Sequence, residues 1–167
     1  MGHAIHRSDL LRGDLGGRNA PVRPPWATPD FTERCTACGD CLTACPEAVI
    51  RAGRARLPVL DFSRGGCSLC GACRDACPDG VLDAARPWRA RVMLEPDCLA
   101  QRGVVCRTCG DFCDVAAIRF RLQPGGCAIP EFDMDRCTGC GACAAPCPTG
   151  AIRILNRPVP ALREVGT

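Results

Sequence analysis

Apolar residues in this chain come in short stretches that recur in a fixed order. A short apolar stretch leads into a cysteine-bearing loop, then a short helical turn, then another apolar stretch. The stretches that follow the loops echo one another: Pro46-Glu47-Ala48-Val49-Ile50-Arg51, Pro78-Asp79-Gly80-Val81-Leu82-Asp83, Asp114-Val115-Ala116-Ala117-Ile118-Arg119 and Pro148-Thr149-Gly150-Ala151-Ile152-Arg153. Equivalent cysteines are evenly spaced, with 32 residues from Cys35 to Cys67 and 31 from Cys106 to Cys137. Such a period marks an internal repeat. Phe31, Phe62 and Phe132 stand just before three of the loops. They are expected to form small cores packed against the loops. Residues 1–30 carry little periodic apolar pattern and are rich in Gly, Arg and Pro. They read as an irregular arm, either loosely docked or a docking element anchored by Arg23-Pro24-Pro25-Trp26.

The loops carry the chemistry. Sixteen of the seventeen cysteines fall into four quartets. Three share one spacing: Cys35-x2-Cys38-x2-Cys41-x3-Cys45-Pro46, Cys67-x2-Cys70-x2-Cys73-x3-Cys77-Pro78 and Cys137-x2-Cys140-x2-Cys143-x3-Cys147-Pro148. The remaining quartet is stretched at its front, Cys98-x7-Cys106-x2-Cys109-x3-Cys113, and is followed by Asp114 instead of proline. This is the bacterial run for 4Fe–4S cubanes, in which the last cysteine of a run ligates the other cluster of a pair. A loop can cap three corners of a cubane only by wrapping closely, and Gly39, Gly71, Gly110, Gly139 and Gly141 are expected to permit that wrap. Backbone N–H groups in the wrap would face the sulfurs.

Cross-ligation pairs the quartets. Cys35, Cys38, Cys41 and Cys77 are assigned to a first cluster, and Cys67, Cys70, Cys73 and Cys45 to a second. Cys98, Cys106, Cys109 and Cys147 are assigned to a third, and Cys137, Cys140, Cys143 and Cys113 to a fourth. The expected fold is α+β: two tandem bacterial-ferredoxin-like modules over 31–90 and 91–157, each with two short hairpins or strand pairs and short helices around two clusters. The arm (1–30) and a short tail (158–167) flank them. Arg86-Pro87-Trp88-Arg89 with Glu95-Pro96 reads as the connector. Cys127 is left over, either a free thiol or a replacement for Cys98.

Composition narrows the alternatives. Five Phe, two Trp and no Tyr leave little aromatic core. Cysteine is about a tenth of the chain, the level at which a small fold depends on cross-links or metal. Disulfides fit poorly with an odd cysteine count and no apolar export segment in residues 1–30. Structural zinc sites pair two cysteines and return after a spacer, which is not this spacing. The formal charge of +3 counts cysteines as neutral. Sixteen ligating thiolates and four oxidised cores of roughly +2 bring the loaded chain to about −5. The basic residues therefore do not argue for nucleic acid, and no stretch suggests membrane insertion. No nucleophile stands with a base and no phosphate-binding loop is present, so an electron-transfer or accessory protein is expected rather than an enzyme. His3 and His6 carry no evident role.

The chain resembles the NapF family of ferredoxin-type proteins. The likeness is carried by Asp9-Leu10-Leu11-Arg12-Gly13, by Arg23-Pro24-Pro25-Trp26, by the stretched motif Gly103-Val104-Val105-Cys106-Arg107-Thr108-Cys109-Gly110-Asp111-Phe112-Cys113, and by the run from Cys137 to Pro148. The resemblance implies a soluble cytoplasmic protein with four 4Fe–4S clusters. It also implies contact with the catalytic molybdenum subunit of periplasmic nitrate reductase before export, in a maturation role. The alternative is a general polyferredoxin or an electron-transfer subunit of another oxidoreductase.

Overall fold

The computed structural model describes residues 21–88 and 90–155. The segment Asp9–Gly13, His3, His6, Arg89 and the tail 158–167 lie outside the described residues. Short elements alternate with loops throughout. The helices are single turns: α1 (Phe31–Arg34), α2 (Asp40–Thr43), α3 (Ala72–Asp75) and α4 (Thr108–Asp111). The strands are β1 (Ile50–Ala52), β2 (Pro58–Leu60), β3 (Arg91–Leu94), β4 (Ile118–Leu122), β5 (Ala128–Phe132) and β6 (Ile152–Leu155). The mixture is of α+β type, and the cysteine loops, not long elements, occupy much of the chain.

The strands form two-stranded antiparallel sheets. β1 and β2 make a hairpin with Ile50 opposite Leu60. β4 and β5 make a second hairpin with Ile118 opposite Phe132, turning through Gly125 and Gly126, both at positive φ. Pro130 sits in β5 without loss, because a two-stranded sheet leaves one edge free of partners. β3 pairs with the distant β6, Leu94 opposite Ile152. The first half has a vestige of that closure: Ala27 bridges Leu82, Thr28 N–H donates to Val81 O at 3.0 Å, and Asp83 N–H to Trp26 O at 2.9 Å. Each half thus closes its own chain ends over a central hairpin.

A fourfold local repeat underlies this plan. Three residues after the last cysteine of each loop the backbone enters the left-handed region, at Ala48, Gly80, Ala116 and Gly150. The N–H of each donates back to the carbonyl of that cysteine, at 3.1, 3.4, 2.9 and 3.1 Å. The next residue is then driven inward: Val49, Val81, Ala117 and Ala151 are each 1% exposed. The turn aims an apolar side chain into the core at the start of each following stretch, which is what the recurring apolar pattern encodes.

The first-half core gathers Phe31, Val49, Ile50, Leu60, Val81 and Leu82. The second half has smaller buried groups, one around Ala90, Ile152 and Ile154 and another around Ala100 and Ala151. Three expectations change here. Residues 21–30 are irregular but not loose: Pro24 and Pro25 are fully buried, Arg23 donates to Pro58 O at 3.2 Å, and Leu60 N–H donates to Val22 O at 2.7 Å. The connector is not a free linker either. β3 starts inside it, Ala90 is buried, and Trp88 packs against both the first and second cores. Gly110 is not at positive φ; it is glycine because a Cβ there would meet the Phe120 ring at 2.5 Å.

Candidate metal centres

Each loop begins with a tight wrap. In the regular loops the second residue between the first two cysteines is left-handed, at Ala37, Leu69 and Gly139. A second left-handed glycine follows at Gly39, Gly71 or Gly141, and at Gly39 and Gly71 it caps a one-turn helix, α2 and α3 respectively. Successive thiols are thereby turned to one side of the loop. In the stretched loop the equivalent cap is Arg107 at φ −130°, and a left-handed glycine falls earlier, at Gly103 between Cys98 and Cys106.

The loops bring the cysteines together in sets drawn from distant parts of the chain. Cys35, Cys38, Cys41 and Cys77 line one recess of about 320 Å³, walled by Phe31, Pro58, Val81 and Leu82. Cys98, Cys106, Cys109 and Cys147 line another of about 350 Å³, walled by Leu94, Pro130 and Ile152. Cys113, Cys137, Cys140 and Cys143 line a third of about 320 Å³, with Val92, Ile118 and Phe132. Cys45, Cys70 and Cys73 stand in mutual electrostatic reach with Cys67. Cys127 lines none of these recesses. Its Sγ donates to Gly103 O at 2.9 Å and ties the β4–β5 turn to the stretched loop. Phe31 and Phe132 wall recesses directly, whereas Phe62 packs between the first and second cores.

Thiol chemistry within a set is uneven. The third cysteine of each loop is the one pressed hardest by its surroundings. Burial first, then neighbouring thiols, pushes Cys41, Cys73 and Cys109 up to about 11 and Cys143 up to about 12. Cys67 and Cys137 are also raised, chiefly by burial. Cys70 is lowered by the Ala72 backbone N–H. At Cys147 burial pushes upward but is outweighed by hydrogen bonds from Thr149 and nearby backbone, so its thiol is lowered. Ligand thiols must lose their protons to bind metal, so loading has to displace tightly held protons at the buried positions.

The donor sets fit a polynuclear core. Among the described residues no three His, Cys, Asp or Glu side chains approach closely enough to grip one metal ion. A tetrahedral zinc at about 2.3 Å from each sulfur would need such a cluster. In three of the sets the thiols instead line open space with largely apolar walls, as a four-cornered core with terminal thiolates requires. Polar groups already face sulfur: Ala117 N–H donates to Cys113 Sγ at 3.2 Å, and the Thr108 and Thr149 hydroxyls, able to donate or accept, lie 3.7 and 3.8 Å from Cys106 and Cys147 Sγ. The two hydroxyls are residues that sequence reasoning passed over. Each stands two positions after a cysteine of the set Cys98, Cys106, Cys109 and Cys147, and that offset was the available signal.

Comparison with known proteins agrees with this chemistry. A 4Fe-4S dicluster domain matches residues 34–88 and a 4Fe-4S binding domain matches residues 130–153. Residues 89–129, which hold the stretched loop, lie outside both spans. The chain is 45% identical to the ferredoxin-type protein NapF of Haemophilus influenzae, over 78% of this chain and 77% of the relative. The chain belongs to the NapF family of ferredoxin-type proteins. The family's Escherichia coli K12 member is 38% identical over 87% of this chain and 92% of its own. A methylamine utilization ferredoxin-type protein, MauM of Methylobacillus flagellatus, is 30% identical over 92% of this chain and 76% of its own. As an iron–sulfur protein of this family, the chain has no helix among the described residues long and apolar enough to cross a membrane.

Proposed function

We propose that the chain is a cytoplasmic electron-transfer and accessory protein carrying four 4Fe–4S clusters, and that it serves maturation of the periplasmic nitrate reductase catalytic subunit. The observation that carries the cluster count is that four thiols from two separate loops line each of three recesses, with the fourth set in electrostatic contact. The ligand sets are Cys35, Cys38, Cys41 and Cys77; Cys67, Cys70, Cys73 and Cys45; Cys98, Cys106, Cys109 and Cys147; and Cys137, Cys140, Cys143 and Cys113. Bound clusters supply one-electron redox chemistry. The chain's residues hold the thiolates apart, keep water off one side with Phe31, Val81, Ile152 and their neighbours, and point N–H and O–H groups at sulfur. A core with four cysteine ligands leaves no open iron for a substrate, which supports a carrier over an enzyme. The relatives at 45% and 38% identity, each a ferredoxin-type protein NapF, support an iron–sulfur carrier, and the link to nitrate reductase follows from the resemblance. The contact with the molybdenum catalytic subunit follows from the resemblance.

Anaerobic purification tests both levels. About sixteen irons per chain and a brown absorbance are expected, together with co-purification of the molybdenum subunit when both are expressed. About eight irons would sink the count of four. A pull-down that recovers an unrelated reductase and no molybdoenzyme would favour the general polyferredoxin reading, which the similarity to MauM also accommodates.

A further inference from the structure

The two halves meet at their cysteine loops. Cys67 N–H, from the second ligand set, donates to Cys140 O, from the fourth, at 2.7 Å. This is among the shortest backbone bonds outside the sheets, and it joins residues 73 positions apart. Next to it Gly66 lies flat on Ala142: a Cβ on Gly66 would come within 2.8 Å of the Ala142 backbone. Gly66 is not at positive φ, so the close approach, and not backbone conformation, calls for glycine there. Phe62 reaches across from the first half onto Gly141, where a Cβ would collide with its ring. The Cys67 thiol also feels the charge of the Cys140 thiol.

Packing within each half runs in the same sense. Cys73 of the second set and Cys41 of the first share one buried cluster. Cys143 of the fourth set and Cys109 of the third share another. Resting on the four-cluster reading, we infer that the Gly66–Cys67/Cys140–Ala142 junction is an electron bridge between the halves. The four centres then form one path in the order first, second, fourth, third. Clusters held by Cys67 and Cys140 with their partner thiols would exchange single electrons across this junction, one oxidised by one as the other is reduced by one, with no proton moved and no bond made or broken. The ends of the path are the first and third centres, none of whose cysteines lines the recess at the junction, so a donor and an acceptor would use different sets. Gly66 acts here as a positioning residue through the two ligands beside it.

The test uses the anaerobically purified full chain, reduced with dithionite and examined by electron paramagnetic resonance. Cys106→Ala first disables the third centre, leaving the fourth with a magnetic neighbour only across the junction. In that background Gly66→Trp is compared with Gly65→Trp, a position where an added Cβ meets nothing within 4 Å. The expected result is a new uncoupled component of one spin per chain in the Gly66 variant alone. An uncoupled fourth centre already present in Cys106→Ala, or the same spectrum for both tryptophan variants, overturns the bridge. Should a tryptophan or the cysteine change cost clusters, Gly66→Ala against Gly65→Ala in the otherwise unchanged chain gives the same comparison. Easier power saturation at Gly66→Ala supports the bridge, and equal saturation overturns it. Iron content separates the two readings: wild-type protein without about sixteen irons fails the cluster count, whereas full iron with no effect of Gly66 fails only the junction.

Discussion

At the scale of single residues the four sets are not alike, and the difference sits two positions after a ligand. Around Cys38 and Cys77 those positions are Asp40 and Asp79, and Asp79 is occupied in accepting from Thr36 Oγ1 at 2.7 Å. Around Cys106 and Cys147 they are Thr108 and Thr149, whose hydroxyls lie against sulfur. A hydroxyl that donates to a thiolate favours the more negative, reduced state and raises the potential. Thr108→Val and Thr149→Val are therefore expected to lower the potential of one centre by tens of millivolts each, from a hydrogen bond of about 1 kcal/mol. Potentiometric titration checks this; a shift to higher potential in either variant would contradict it. The cysteines themselves were legible from spacing, because ligand geometry is written locally. The hydroxyls were not, because a Thr near a Cys acquires meaning only when the loop turns it toward sulfur.

At the scale of elements the molecule is a set of one-turn helices and two-stranded sheets that cannot stand alone. What fixes them is the turn after each final cysteine, which buries Val49, Val81, Ala117 and Ala151. The stretches after the cysteines were readable from the sequence as apolar, but the left-handed residue that aims them was readable only at Gly80 and Gly150. At Ala48 and Ala116 an ordinary side chain accepts that conformation, and local sequence gives no sign of it. The packing of residues 21–30 was hidden for a related reason: Arg23-Pro24-Pro25-Trp26 has no periodic pattern, yet Pro24 and Pro25 are buried as rigid apolar rings. Val81→Ala removes two methyl groups from a site with no exposure and is expected to cost about 2 kcal/mol, read as a fall in the denaturation midpoint of the loaded protein. A loss under 0.5 kcal/mol would mean that the site collapses around the gap.

At the scale of the whole molecule, sequence periodicity pointed to two modules; the structure shows a β3–β6 pairing and an Ala27–Leu82 bridge, each closing a stretch of chain that contains a hairpin. Periodicity is silent, however, about how two repeats touch. Phe62, Trp88, Gly66 and Gly141 join the halves through contacts that no repeat predicts. Calorimetry of the loaded protein is therefore expected to give a single cooperative transition, and two well-separated transitions would show that the halves unfold independently. The pairing of β3 with β6 carries one more consequence, and it concerns time. Cys98, Cys106 and Cys109 leave the ribosome 38 or more positions ahead of Cys147, their partner in the same recess. At ordinary rates of synthesis of about 5–20 residues per second, those three thiols wait roughly 2–10 s for the fourth. During that interval the nascent chain presents bare sulfur with no β6 to pair with β3, so filling of the recess lined by Cys98, Cys106, Cys109 and Cys147 depends on how reducing the surroundings of the ribosome are.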